Sequence, residues 1–292
     1  MTLTRKKASN IASVLSEGLP YIQRFQDKII VVKYGGAAMA REDLKLGFAR
    51  DIALMKLVGM HPIIIHGGGP QIGLELNKKG LKSKFIMGQR VTDKKTLPIV
   101  IKVLGNTINK EIVSLLKKFG AKSQSLLGNK NHFIKATKLD TLLGSEKVDF
   151  GFVGKVKSID TKKIKNLLIK DIIPVIAPLG INKNDEVLNI NADLVAAKVA
   201  ANLKAEKLIL LTDVNGISDK SNKLITQINT KKAKNILNQN FITGGMKPKL
   251  SSAIEAIEAG VKAVHIIDGR VPHAVLLEVL TTEGVGTLLE KK

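Results

Sequence analysis

At 292 residues the chain can bury about three quarters of its unfolded surface, enough for one large α/β domain or two lobes. It holds no cysteine, which excludes a disulfide framework and any thiolate nucleophile or metal ligand, and no apolar run approaches the ~18 residues of a membrane-crossing helix. The net charge of +22 (47 basic, 25 acidic) invites nucleic-acid binding, but lysines are scattered along the whole chain, tryptophan is absent and aromatics make up 3%, so a general attraction for anionic ligands is expected instead.

The basic N-terminus, Met1 to Lys7, is followed by no apolar h-region or cleavage site, and a cytoplasmic location is expected. Ile11, Val14, Leu15, Leu19 and Ile22 keep a helical spacing over 10–25, interrupted by Gly18 and Pro20, and predict a kinked amphipathic helix. Lys28–Tyr34 then carries the run Ile29-Ile30-Val31-Val32, which suits a strand buried on both faces of a parallel sheet. A helix follows at about 43–58, then a strand ending at His66, then a helix after Gly69. Further helical patterns fall at about 93–119, 161–169, 192–203, 231–239, 247–259 and 271–280. Strand-like runs lie at Ile172–Ile176, Lys207–Leu211 and Ala263–Ile267, and Val148–Ile159 reads as a hairpin turning around Gly151 and Gly154. The alternation predicts an α/β sandwich with a mainly parallel central sheet, and the polar stretch 180–186 is a candidate lobe boundary.

Three Gly-rich turns stand out. His66-Gly67-Gly68-Gly69-Pro70 sits where an apolar strand stops and a helix starts, so backbone N–H groups can converge on an anion beside the positive end of a helix dipole. Lys33-Tyr34-Gly35-Gly36 and Gly244-Gly245-Met246-Lys247-Pro248-Lys249 each add lysine to a Gly-Gly turn. Together they point to phosphoryl transfer, which needs alignment, positive charge and N–H donors around the moving group. Lys33 stands at the carboxyl end of its strand, where ligands collect in open α/β sheets. Lys249, in the first turn of a helix, is badly placed against the helix dipole unless a phosphate is bound; Lys247 shares the position and competes for the role. Asp193 precedes the apolar stripe of the 192–203 helix; it is either a carboxylate favourable to the dipole, with Asn191 as cap, or one that orients the two cations. Arg90 has a planar fork suited to a substrate carboxylate, and Leu211-Thr212-Asp213-Val214-Asn215-Gly216 can hold a nucleotide. His66 reads as structural, because no nearby carboxylate or serine suggests a triad. No histidine and carboxylate spacing resembles a metal cage, so magnesium is expected to arrive with a nucleotide, held by its phosphates.

With these motifs, together with Arg90-Val91-Thr92-Asp93, Asn189-Ile190-Asn191-Ala192-Asp193 and His265-Ile266-Ile267-Asp268-Gly269-Arg270-Val271-Pro272, the chain resembles the N-acetylglutamate kinases of the amino acid kinase family over nearly its whole length. The resemblance implies a three-layer αβα sandwich and ATP-dependent phosphorylation of the γ-carboxylate of N-acetyl-L-glutamate in arginine biosynthesis. It implies that Lys33 and Lys249 stabilise the moving phosphoryl group and that Asp193 holds both lysines. Backbone N–H groups of Gly36, Gly68 and Gly69 would cradle phosphoryl oxygens, with Gly35 and Gly67 in the same phosphate-binding turns. Gly68, Gly69, Arg90 and Asn189 would bind the acyl amino acid, and Thr212, Asp213, Gly216, Gly245 and Met246 the nucleotide. Residues 1–26 would form an oligomerisation helix, 27–180 an N-lobe with the acyl-amino-acid site and dimer contact, and 181–292 a C-lobe with the nucleotide and arginine sites. Glu17-Gly18-Leu19-Pro20-Tyr21-Ile22 resembles the N-terminal helix of arginine-inhibited members, which links dimers into a hexamer. By the same likeness Tyr21, Lys207, His265, Glu278 and Gly284 would line an L-arginine site.

Lys155, Lys247 and Asn215 depart from that family's usual residues at their positions. Carbamate, glutamate-5 and aspartate kinase chemistry are the nearest rivals, disfavoured by Arg90 with Asn189. A dinucleotide-binding oxidoreductase would need a Gly-x-Gly-x-x-Gly spacing that His66–Gly73 lacks.

Overall fold

The computed structural model describes residues 4–5, 13, 16–86, 88–143, 146–239, 241–242, 244–281 and 284–291. Ile11, Val14 and Leu15 of the expected N-terminal helix lie outside them. Helix α1 (Leu19–Phe25) starts after a turn at Gly18, with Pro20 in its first turn, and seats Phe25 in the core.

The centre is an eight-stranded sheet. In chain order its strands are β1 (Ile29–Tyr34), β2 (His61–His66), β5 (Ser123–Leu127), β8 (Ile173–Ala177), β11 (Lys207–Thr212), β12 (Gln227–Asn229), β13 (Ala263–Asp268) and β14 (Gly286–Glu290), arranged 12-14-13-11-1-2-8-5. Every pairing is parallel except β13 with β14. The continuous apolar runs behave as a doubly covered sheet requires. Val31, Ile63, Ile65, Leu208 and Leu210 face one core, and Ile30, Val32, Ile64, Ile209 and Leu211 face another.

Helices α7 (Ala192–Leu203) and α9 (Met246–Glu258) cover the first face through Val195, Val199, Ala253 and Ile257. The second face is covered by α2 (Glu42–Leu57), by α5 (Asn109–Lys118) with a preceding π-helical stretch (Lys102–Ile108), and by α10 (Ala274–Leu280). Helix α3 (Gly69–Lys78) adds Ile72 and Leu76 to that core. Three shorter helices, α4 (Leu97–Ile101), α6 (Thr161–Ile169) and α8 (Thr230–Leu237), complete the layers. The helix expected from 93 begins at Leu97, because the Asp93 carboxylate accepts the Thr96 N–H in a turn and Pro98 then opens the helix.

One expectation is corrected. Val148–Ile159 is no hairpin around Gly151 and Gly154: it belongs to a single long strand, β7 (Glu146–Ile159), antiparallel to β6 (Ile134–Leu143). With β9 (Leu179–Ile181) and β10 (Val187–Ile190) these strands close a small barrel. Its glycines mark close backbone approaches, not turns. A Cβ on Gly151, whose φ is +70°, would lie 2.3 Å from the Thr92 carbonyl oxygen, and one on Gly154 would lie 2.9 Å from Leu188 Cβ. A two-stranded ribbon, β3 (Phe85–Ile86) with β4 (Gln89–Arg90), leads into Thr92, which bridges to Gly151.

Candidate active site

The ends of β1 and β2 and the start of α7 converge on a cavity of about 270 Å³. Lys33, next to last in β1, extends to Asp193 Oδ1 with its Nζ at 3.1 Å, and Lys249 Nζ, from the first turn of α9, donates to Asp193 Oδ2 at 2.8 Å. Asp193 is set by its helix, since Asn191 caps α7 by accepting the Asp193 N–H at 2.7 Å. Lys33 and Asp193 are buried. Burial pushes the Asp193 carboxyl up, but the two ammonium charges prevail and hold it below the usual carboxylate range. Burial pulls the Lys33 ammonium down, offset in part by Asp193. One carboxylate thus secures two ammonium groups and leaves one net positive charge at the cavity, an arrangement suited to a polyanion.

The Gly-rich turns stand beside this triad. Gly67 donates its N–H to the Tyr34 carbonyl at 2.7 Å, tying the β1 and β2 turns together. A Cβ on Gly35 would sit 3.3 Å from Lys33 Nζ, and one on Gly68 would lie 2.7 Å from both Leu104 Cδ2 and Ile108 Cδ1. Gly36 adopts φ +63°, so its backbone conformation favours glycine. Gly69 opens α3 and is exposed. Across the cavity Arg90 donates from Nη2 to the Gly69 carbonyl at 2.8 Å and from Nη1 to Ser83 Oγ, with its guanidinium over the Phe85 ring. Asn189 Nδ2 donates to Thr92 Oγ1 at 3.1 Å, and that hydroxyl donates to the Arg90 carbonyl at 3.2 Å. The structure therefore brings together Lys33, Gly36, Gly67, Gly68, Gly69, Arg90, Asn189 and Asp193 as lining residues, with Lys249 bonded to Asp193. Sequence reasoning assigned no role to Thr92, fully buried, or to Phe85 and Pro178, which also line the cavity. Thr92 meets Asn189 from 97 positions away, and only its polar side chain inside an Arg-Val-Thr-Asp run could have drawn attention.

Thr212 ends β11 and Asp213 follows it, close enough to Lys33 to favour its charged form. The Thr212 hydroxyl donates to Asp213 Oδ1 at 3.2 Å, and the Thr212 carbonyl accepts the Gly269 N–H at 2.9 Å. Gly245 and Met246 open α9, the helix that carries Lys249. Gly216 has a packing reason of its own: φ is +142°, and a Cβ there would lie 2.7 Å from Thr287 Oγ1. Asn215 Oδ1 accepts from Arg270 Nη2 at 3.4 Å, while Lys155 and Lys247 are exposed.

A second polar cluster lies at the opposite end of β11 and β13. His265 Nδ1 is 2.5 Å from Glu278 Oε1, the Val285 N–H donates to Glu278 Oε2 at 3.2 Å, and Lys207 Nζ donates to the Glu278 carbonyl at 3.2 Å. Lys207 also stands over the Phe25 ring of α1, and half-buried Tyr21 belongs to the same helix. A Cβ on Gly284 would be 3.1 Å from Glu278 Oε2. Burial brings the Lys207 ammonium down to about 8 despite Glu278. Burial also lowers His265, whose Nε2 meets no hydrogen-bond partner among the described residues. Glu278 is pushed up by burial, but its hydrogen bond and attraction to His265 outweigh that and keep it ionised.

The doubly wound sheet and the lysine–carboxylate–lysine site define a phosphotransferase, and the chain belongs to the amino acid kinase family, whose model matches residues 28–268. It is 51% identical over 300 residues to the acetylglutamate kinase of Nitrosococcus oceani, covering 100% of both chains. It is 52% identical over 295 residues to that of Hydrogenovibrio crunogenus, covering 99% of both. These full-length likenesses mark the chain as an enzyme of the acetylglutamate kinase type. Among solved structures, N-acetylglutamate synthase from Neisseria gonorrhoeae, complexed with coenzyme A and N-acetyl-glutamate, superposes with a TM-score of 0.86 at 25% identity. That match covers 96% of this chain and 63% of the synthase.

Proposed function

We propose that the enzyme transfers the γ-phosphoryl group of ATP to the side-chain carboxylate of N-acetyl-L-glutamate, giving N-acetyl-L-glutamyl 5-phosphate for arginine biosynthesis. The observation that carries the reading is Asp193 held between Lys33 and Lys249 beside the Gly67–Gly69 turn. A carboxylate oxygen of the acceptor attacks the γ-phosphorus as the bond from phosphorus to the ADP oxygen breaks. The acceptor is already ionised, so no general base is needed. Lys33 and Lys249 meet the charge that builds on the bridging and equatorial oxygens, and the N–H groups of Gly36, Gly68 and Gly69 cradle those oxygens. Arg90 and Asn189 hold the acyl amino acid, and Thr212, Asp213, Gly216, Gly245 and Met246 border the nucleotide. In this reading a magnesium ion would come with the nucleotide, held by its phosphate oxygens.

The cluster of Lys207, His265, Glu278 and Gly284, with Tyr21 on the adjoining helix, suits L-arginine. A buried carboxylate faces a cationic ligand, and His265 Nε2, without a partner among the described residues, offers a further polar contact. In this reading arginine inhibits the enzyme, and residues 1–26 join dimers into a hexamer, a trimer of dimers. Residues 27–180 form an acceptor-binding, dimer-forming lobe and 181–292 a nucleotide-binding lobe. No described helix is long and apolar enough to cross a membrane.

The test is ATP turnover with N-acetylglutamate, glutamate, aspartate or carbamate, each with and without L-arginine. Turnover confined to N-acetylglutamate and suppressed by arginine is the expected outcome. Turnover with another acceptor alone overturns the substrate, and indifference to arginine overturns the regulatory site.

A further inference from the structure

We propose that His66 is a positioning residue that fixes the Gly67–Gly68 peptide, so that the Gly68 N–H points at the phosphoryl group in transfer. The inference rests on the phosphoryl-transfer reading above. Its starting point is a problem that three consecutive glycines create: without Cβ atoms their peptide planes can rotate between orientations at little cost, yet a preorganised donor must not rotate. The backbone groups of this turn are each pinned by a different device. The Gly67 N–H is held by the Tyr34 carbonyl at 2.7 Å, the Gly68 carbonyl by the Ile72 N–H at 2.9 Å, and the Gly69 carbonyl by Arg90 at 2.8 Å. The peptide left over is the one between Gly67 and Gly68, and its carbonyl lies 2.9 Å from His66 Nδ1.

A carbonyl can only accept, so Nδ1 carries the proton. The other ring nitrogen is set independently: Asn109 Nδ2 stands 3.0 Å from His66 Nε2 and also 3.0 Å from the Val175 carbonyl. An amide nitrogen that donates to both leaves Nε2 as acceptor and selects the Nδ1–H tautomer. His66 and Asn109 are both fully buried, so bulk solvent does not compete for either bond. In a trans peptide the N–H lies opposite the C=O. With the Gly67 carbonyl drawn toward the buried imidazole, the Gly68 N–H is turned the other way, toward the cavity that Gly67, Gly68 and Lys33 line. Among the described contacts that N–H meets no protein acceptor. Burial keeps the imidazole neutral, its pKa lowered to about 4, so the tautomer persists through the neutral range.

His66→Leu removes the donor, and His66→Asn returns an amide N–H to the place of Nδ1. For His66→Leu turnover should fall roughly 10²-fold, the scale of losing one preorganised donor, with KM for both substrates changed less than about twofold. His66→Asn should recover most of that loss. In the folded wild-type protein, imidazole nitrogen shifts in NMR should show the neutral Nδ1–H form, and the Gly68 amide should move on adding ADP with a trigonal-planar phosphoryl mimic. Unchanged turnover in His66→Leu, a loss that His66→Asn does not recover, or an Nε2–H tautomer would each overturn the proposal. Wild-type protein inert toward N-acetylglutamate would overturn the reaction instead, and the tautomer and Gly68 shift would still decide the geometry.

Discussion

Asp193 holds two lysines at once, so each lysine can be removed without unpairing the carboxylate altogether. Lys33→Ala and Lys249→Ala should each slow turnover by about 10²–10³-fold while ATP binding weakens far less, because their charge matters most in the transition state. Steady-state kinetics with a separate nucleotide-binding measurement checks this, and equal losses in both would assign the lysines to binding alone. His66 supplies a pH signature. Its folded pKa of about 4 lies below the ordinary histidine value of 6.5, so between these values the folded protein binds fewer protons than the unfolded chain. Stability present above pH 6.5 is therefore lost as pH falls toward 4, by roughly 3 kcal/mol from this residue. Asp51 works in the opposite sense, since burial raises it to about 6 beside His273. The difference between wild type and His66→Asn in denaturant unfolding, followed from pH 7 to 4, isolates the histidine. Lys33 and Asp193 were legible in the sequence because a strand end and a helix cap are local features. The roles of Thr92 and Asn109 were not, because each is defined by a partner 43 or more positions away.

Elements buried on both faces announced themselves. The apolar runs of β1, β2, β8, β11 and β13 read as parallel strands, and the structure places strands there. The strand β5, with Ser123 and Gln124 in five residues, and the short β10 and β14 carried too little pattern to be seen. β7 was misread because glycine serves both turns and close backbone crossings, and only the neighbouring chain distinguishes them. That crossing is testable. Gly151→Ala must accommodate φ +70° and a Cβ 2.3 Å from the Thr92 carbonyl oxygen. The expected cost is about 1–3 kcal/mol in unfolding free energy. Because Thr92 leads back to Arg90 and Asn189, KM for the acyl amino acid should rise more than KM for ATP. A loss of stability with an unchanged KM would separate the barrel crossing from acceptor binding.

At the scale of the whole molecule, the catalytic cluster and the Lys207–His265–Glu278 cluster occupy opposite ends of one parallel sheet, the first at the carboxyl ends of β1 and β2 and the second on β11 and β13. Glu278→Gln should abolish arginine inhibition while turnover without arginine stays within about twofold of wild type, read from inhibition curves at saturating substrates. Retained inhibition would move the effector elsewhere. The β1–β11 ladder has one more consequence. It pairs Ile30 with Lys207 and joins strands β1, β2, β8 and β5, all complete by Ala177, to strands that follow. During synthesis the first four strands can assemble while the rest is still being made, with Lys33 already at its strand end. Its carboxylate arrives only with α7, and the second lysine only with α9. The phosphoryl-transfer centre is therefore complete only once both α7 and α9 have joined the sheet, so its assembly depends on the last elements of the chain to be made.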